Sequence, residues 1–142
     1  MRAVSGAGLL LVLHAAVAGA CGHCVEDKVA AVYDYATVAK AKAARHAMAF
    51  FAIEGRLVAD ESLRQAIASM ARATDGVDKE SVRVSLDLAA LSFSFDPGRT
   101  SLGTVQKSIA RKMAFKKLGL TELNFVDKPN RLLSKRASLR AP

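Results

Sequence analysis

The sequence predicts an α+β protein: a ferredoxin-like βαββαβ sandwich, with a four-stranded antiparallel sheet carrying two helices on one face, preceded by an extra N-terminal helix. Three observations predict it. Two stretches, 63–71 and 102–113, place apolar residues at helical spacing. The runs at 46–54, 82–88, 91–95 and 120–126 have strand length, and the middle two alternate apolar with polar residues. Turn-forming residues separate these segments: Gly55, Asp75-Gly76, Asp96-Pro97-Gly98 and Gly119.

Each element follows from its residues. Val25, Val29, Val32, Tyr33 and Ala36 form one helical stripe, and 25–44 contains neither Gly nor Pro, so the spacing predicts one long helix. Phe50, Phe51 and Ile53 make the first strand, which Gly55 ends. Asp60 or Ser62 caps the next helix, with Ser62 and Gln65 spaced as a capping box. Its buried stripe is Leu63, Ala66, Ile67, Met70 and Ala71, and Asp75-Gly76 stops it. Val82, Val84, Leu86 and Leu88 alternate with polar residues, as do Leu91, Phe93 and Phe95, with a turn at Ala89-Ala90. That is a hairpin with one apolar and one polar face. Thr100 or Ser101 caps the last helix, Leu102, Val105, Ile109 and Met113 line it, and Gly119 is expected to sit just past its end.

Composition narrows the function. The chain has 142 residues, 51% hydrophobic and 24% charged, which suits one modest domain with appendages. Disorder throughout and a multi-pass membrane protein are excluded, and two Cys cannot staple a miniprotein. Lys and Arg number 21 against 13 acids, a net +8. The excess gathers at Arg111, Lys112, Lys116 and Lys117, and again at Lys128, Arg131, Lys135, Arg136 and Arg140. Such patches suit anionic lipid or an acidic protein. No aromatic residues interleave with the tail's charges, so nucleic acid is not expected.

The N-terminus reads as an address. Met1-Arg2 supplies a positive start, 8–17 an apolar stretch, and Ala18-Gly19-Ala20 a cleavage site before Cys21. Export to a periplasm is expected. A Cys following such a site also suits lipidation, which would anchor the protein to the membrane through Cys21. The organisation expected is therefore a signal peptide at 1–20, a Cys motif and helix at 21–45, the sandwich at 46–127 and a basic disordered tail at 128–142.

Cys21-Gly22-His23-Cys24 is the one chemically distinctive motif. Two Cys three apart at a helix start bring two sulfurs together, and unpaired N–H groups and the helix dipole favour thiolates. Two thiolates suit Cu(I) or Hg(II). Zn(II) asks for four ligands, so His23 and a further group would have to join. The same pair can close into a disulfide. Covalent haem attachment is excluded, because Val25 stands where His is needed. No Gly-rich phosphate loop, HExxH motif or nucleophile elbow is present, so no enzyme activity is expected.

The stretch 47–126 resembles the heavy-metal-associated domain of copper chaperones, metal-pumping ATPases and periplasmic mercury-binding proteins. The likeness rests on Phe51-Ala-Ile-Glu-Gly55, the helix running to Asp75-Gly76-Val77, Val82-Arg-Val-Ser-Leu-Asp-Leu88, Phe93-Ser-Phe-Asp-Pro97 and Thr100-Ser101. In that family the Gly ending the first strand precedes Met-x-Cys-x-x-Cys, whose thiolates hold a soft ion. Here Gly55 is followed by Arg56-Leu57-Val58-Ala59-Asp60-Glu61, and Val58 and Glu61 stand in the two Cys positions. The domain's own metal loop is degenerate, while Cys21-Gly-His-Cys24-Val25 carries wording like that loop outside the domain. The resemblance implies a metallochaperone-like protein using Cys21 and Cys24 for a soft metal ion, with a metal transporter as partner. The alternative is a protein- or membrane-interaction module whose Cys pair is a disulfide or lipid anchor.

Overall fold

A computed structural model of the chain describes residues 24–124. The expected signal peptide, Cys21 and the basic tail lie outside the described residues. The elements are α1 (Val25–Val32), α2 (Tyr35–Ala43), β1 (Ala47–Glu54), α3 (Glu61–Arg72), β2 (Arg83–Ser85), β3 (Ala90–Phe95), α4 (Leu102–Ala114) and β4 (Gly119–Glu122). The strands form one antiparallel sheet in the order β2-β3-β1-β4. This is the βαββαβ sandwich the sequence predicts.

Residue parity sorts the core. Odd-numbered residues of β1 and β3, among them Ala49, Phe51, Ile53, Leu91, Phe93 and Phe95, face the helices α3 and α4. There they meet Ile67, Ala68 and Ala71 of α3 and Val105, Ile109 and Met113 of α4. Phe51 and Phe93 stack with ring centroids 5.4 Å apart. Even-numbered residues face the other way, where Phe50 and Ala90 pack on Val29 and Val32 of α1. β1 therefore reads as an unbroken apolar run because both its faces are covered.

Several expectations are corrected. The N-terminal segment is two helices. At Tyr33 and Asp34 the backbone turns extended, and the Asp34 carboxylate accepts from the Ala36 N–H at 3.0 Å and the Thr37 hydroxyl at 2.8 Å. A short acceptor that caps a new helix outcompetes continuation of the old one. The strand expected at 82–88 shortens to Arg83–Ser85, preceded by a 3₁₀ turn at Lys79–Ser81 and followed by a turn over residues 86–89, so Ala90 belongs to β3.

The hairpin's polar face is not exposed either. Ser92 and Ser94 are fully buried. The Ser92 hydroxyl donates to the Val32 carbonyl at 2.8 Å, and the Ser94 N–H donates to the Ser81 hydroxyl at 2.7 Å.

Helix ends differ in detail. Asp60 caps α3 by accepting from the Ser62 N–H, and Gln65 donates to Glu61, so the Ser62/Gln65 capping box does not form. α3 ends at Arg72, before Asp75-Gly76. Ser101 caps α4. Gly119 lies in β4, and Lys117 takes the left-handed position after α4 with φ 57°. Leu118 and Lys117 close that turn through N–H bonds to Met113 and Ala114. His46 and Arg45 (φ 59°) close α2 in the same way, on Ala41 and Lys42. Both are Schellman turns with a non-glycine at the left-handed residue.

Phe51→Ala leaves a cavity between sheet and helices and should cost about 3–5 kcal/mol, read by chemical denaturation. Arg45→Gly relieves a left-handed side chain on an exposed turn and should stabilise by about 0.5–1 kcal/mol, seen as a rise in Tm.

Candidate functional site

Strand pairing gathers three connections at one end of the sandwich. Ala52 pairs with Ala90 and Glu54 with Gly119. The loop after β1, the turn between β2 and β3, and the turn before β4 are therefore neighbours. Gly55 holds this end together, because with φ 116° a Cβ there would lie 2.7 Å from the Lys117 carbonyl oxygen.

The loop after β1 contains no metal site. Val58 is exposed and carries no donor atom. Glu61 opens α3 and accepts from Arg64 Nε at 2.7 Å and Gln65 Nε2 at 3.0 Å. These partners, Arg64 foremost, hold its carboxyl down at about 2. Asp60 is committed to the α3 cap through the Ser62 hydroxyl and N–H, which also lower its pKa. Among the described residues no group of three or more His, Cys, Asp or Glu is placed to hold a metal ion.

α1 brings a different residue to the same end. Lys28 donates from Nζ to the Leu88 carbonyl at 2.8 Å, in the β2–β3 turn, while Val32 meets Ser92 farther along β3. The helix thus starts at the loop end and runs with β3. Cys24, its N-cap, lies exposed one turn before Lys28, whose backbone N–H bonds the Cys24 carbonyl at 3.2 Å. Of the two Cys, Cys24 lies on the outer sheet face at the end that also carries the Val58 loop, and Cys21 lies outside the described residues. Glu26 and Asp27 occupy the first turn of α1 and add negative charge beside Cys24. His46 sits at the opposite end, before β1, where its Nδ1 is buried with no hydrogen-bond partner among the described residues.

Sequence reasoning missed the clamp that holds this arrangement. Asp34 accepts from Arg83 Nη2 at 2.7 Å, and the same guanidinium donates to the Thr37 hydroxyl at 3.0 Å. The cap signature Asp34-x-x-Thr37 was visible, but nothing local links it to an Arg 49 residues away. Hydrogen bonds from Thr37 first and Arg83 second draw the Asp34 carboxyl from 3.8 down to about 2.

No protein-family profile matches the chain, and no curated protein matches it in sequence. Among solved structures it is similar to oxidized MerP from Ralstonia metallidurans CH34, at 16% identity and a TM-score of 0.44, over 54% of this chain and 96% of that one. It is similar to the CopZ metallochaperone at 17% identity and a TM-score of 0.42, over 53% and 100% of the two chains. The N-terminal domain of the zinc(II) ATPase ZiaA in its apo form gives 20% identity and a TM-score of 0.41, over 60% and 78%.

The clamp has a pH signature. The folded Asp34 value lies below the unfolded one, so its contribution is complete above the unfolded value and disappears as pH falls through the folded value. Docking of α1 and α2 should therefore weaken from 3.8 down to about 2. Asp34→Asn should remove that part of the acid dependence, as measured by amide hydrogen exchange of Val29 and Val32 against pH.

Proposed function

We propose that the chain is a small exported protein that binds one soft metal ion through the thiolates of Cys21 and Cys24 and passes it to a protein partner of the metal-transporter class. The observation that carries this reading is the placement of Cys24, exposed at the start of a helix whose other contacts dock it firmly on the sheet. The ordinary obstacle to a terminal Cys motif is that nothing positions it. Here the apolar contact of Val29 and Val32, the Lys28 bonds and the Asp34 clamp supply a base for it.

Ligand chemistry selects the ion class. Val58 and Glu61 offer no thiolate, so the sandwich itself contributes no soft donor at this end. Two sulfurs alone suit Cu(I) or Hg(II) in two-coordinate geometry. Zn(II) would draw on His23 or on a partner's side chain to complete four ligands. Carboxylates of Glu26 and Asp27 favour cation approach without displacing sulfur from a soft ion. The proposed role is carriage, and no catalysis is part of it.

Mass spectrometry of the reduced, processed protein with Cu(I) should show one bound ion, absent from the Cys21→Ala/Cys24→Ala variant. An unchanged metal ratio in that variant overturns the reading. An acyl group on Cys21 or a permanent disulfide in the intact mass would point to the interaction-module alternative.

A further inference from the structure

The corner where α4 meets β4 carries an apolar side chain that the fold does not use. Phe115 is 90% exposed, immediately after α4, although Met113 two residues earlier is fully buried in the core. Across the end of the sheet, Val58 is 63% exposed on the loop after β1. That loop lies against the Phe115 turn, since the Gly55 backbone is packed on Lys117 and Leu118. An aromatic side chain this exposed, at an end of the sheet that carries a second exposed apolar residue and a group of cations, is the feature of this corner that the packing leaves unexplained.

The surrounding charge identifies what the surface contacts. Arg111, one turn before Phe115, together with Lys116, Lys117 and Arg56, is exposed, and among the described residues none of the four is in an ion pair. Lys112, by contrast, is committed to the α3 C-terminus, donating to the Ala73 carbonyl at 2.8 Å and the Thr74 hydroxyl at 2.9 Å. Among the acids at this end, Asp87 lies exposed in the β2–β3 turn, and those of the loop after β1 are committed to α3. Asp60 caps α3 and Glu61 pairs with Arg64. Glu26 and Asp27 belong to α1, on the other face of the sheet. Glu54 is the exposed carboxylate at the end of β1.

The geometry points to this corner as a docking surface for an anionic lipid bilayer, with Phe115 and Val58 entering the headgroup boundary and Arg56, Arg111, Lys116 and Lys117 held at lipid phosphates. A bilayer accepts a protruding aromatic group without a shaped pocket and attracts cations around it. An acidic protein would have to supply a cavity matched to Phe115. Because the cations cluster on the α4 side and Cys24 lies on the α1 side, docking in this way leaves the Cys24 helix beside the membrane and open to a partner.

The chain has no Trp, so Phe115→Trp creates a single reporter. In the full chain its emission should shift to the blue with vesicles of phosphatidylcholine containing about one-third phosphatidylglycerol, and stay unchanged with phosphatidylcholine alone. In co-sedimentation, Phe115→Ala should weaken binding to the anionic vesicles about tenfold. Lys116→Gln and Lys117→Gln should each weaken it about fivefold. Circular dichroism should confirm that these exposed substitutions leave the fold intact. An unshifted reporter, binding that persists undiminished in Phe115→Ala, or capture only by an acidic polypeptide would each overturn the assignment.

Discussion

The structure depends on covering the second face of the sheet. β1 places Phe50 and Phe51 side by side in sequence, and a strand must send them to opposite faces. α3 and α4 can bury only one of them. Without α1, Phe50, Met48 and Ala90 would form an apolar strip on an open face. Burying a side chain of the size of Phe50 is worth roughly 1.5–3 kcal/mol, an appreciable share of the stability of a domain this small. Val29 and Val32 supply that burial, and the N-terminal segment becomes part of the fold.

This second layer also explains where sequence reading succeeded and where it failed. Helical and strand periods are local properties, so α3, α4, β1 and β3 were legible from Ile67, Ile109, Phe51 and Phe93, and their order fixed the sandwich. Ser92 and Ser94 read as a solvent face because alternation with serine has the same pattern whether water or a helix covers it. Only the tertiary contact with Val32 and Ser81 distinguishes the two cases. The break at Asp34 was hidden for a similar reason. An Ala-rich stretch without Gly or Pro favours helix throughout, yet one carboxylate with a cap to make and a distant Arg83 to meet redirects the chain. Lys117 in a left-handed turn was unreadable, since the position favours Gly and Gly119 stood nearby.

The candidate site shows the same division. Loss of soft-donor capacity at Val58 and Glu61 was plain from residue chemistry alone, and the structure agrees: one side chain is apolar and exposed, the other is bonded to its own helix. What the sequence could not supply was the location of Cys24. Its motif lies outside the sandwich, so its position depends entirely on which way α1 runs across the outer face. The Lys28 contact at the β2–β3 turn and the Val32 contact at Ser92 determine that direction.

Apolar burial by itself would leave that direction poorly defined. α1 buries only Val29 and Val32, and with half-exposed Val25 on the same stripe a slip of one turn would still place two valines on the sheet. Polar contacts do not tolerate such a slip. Moving α1 by 5.4 Å, one helical turn, would carry Lys28 away from the Leu88 carbonyl, leave the buried Ser92 hydroxyl without its acceptor and part Asp34 from Arg83. An unsatisfied buried hydroxyl costs more than the bond it loses contributes. The apolar pair therefore supplies the attraction and the three polar contacts select the register. That register, more than any property of the Cys motif itself, puts Cys24 at the end of the sheet that also carries the exposed Phe115 corner.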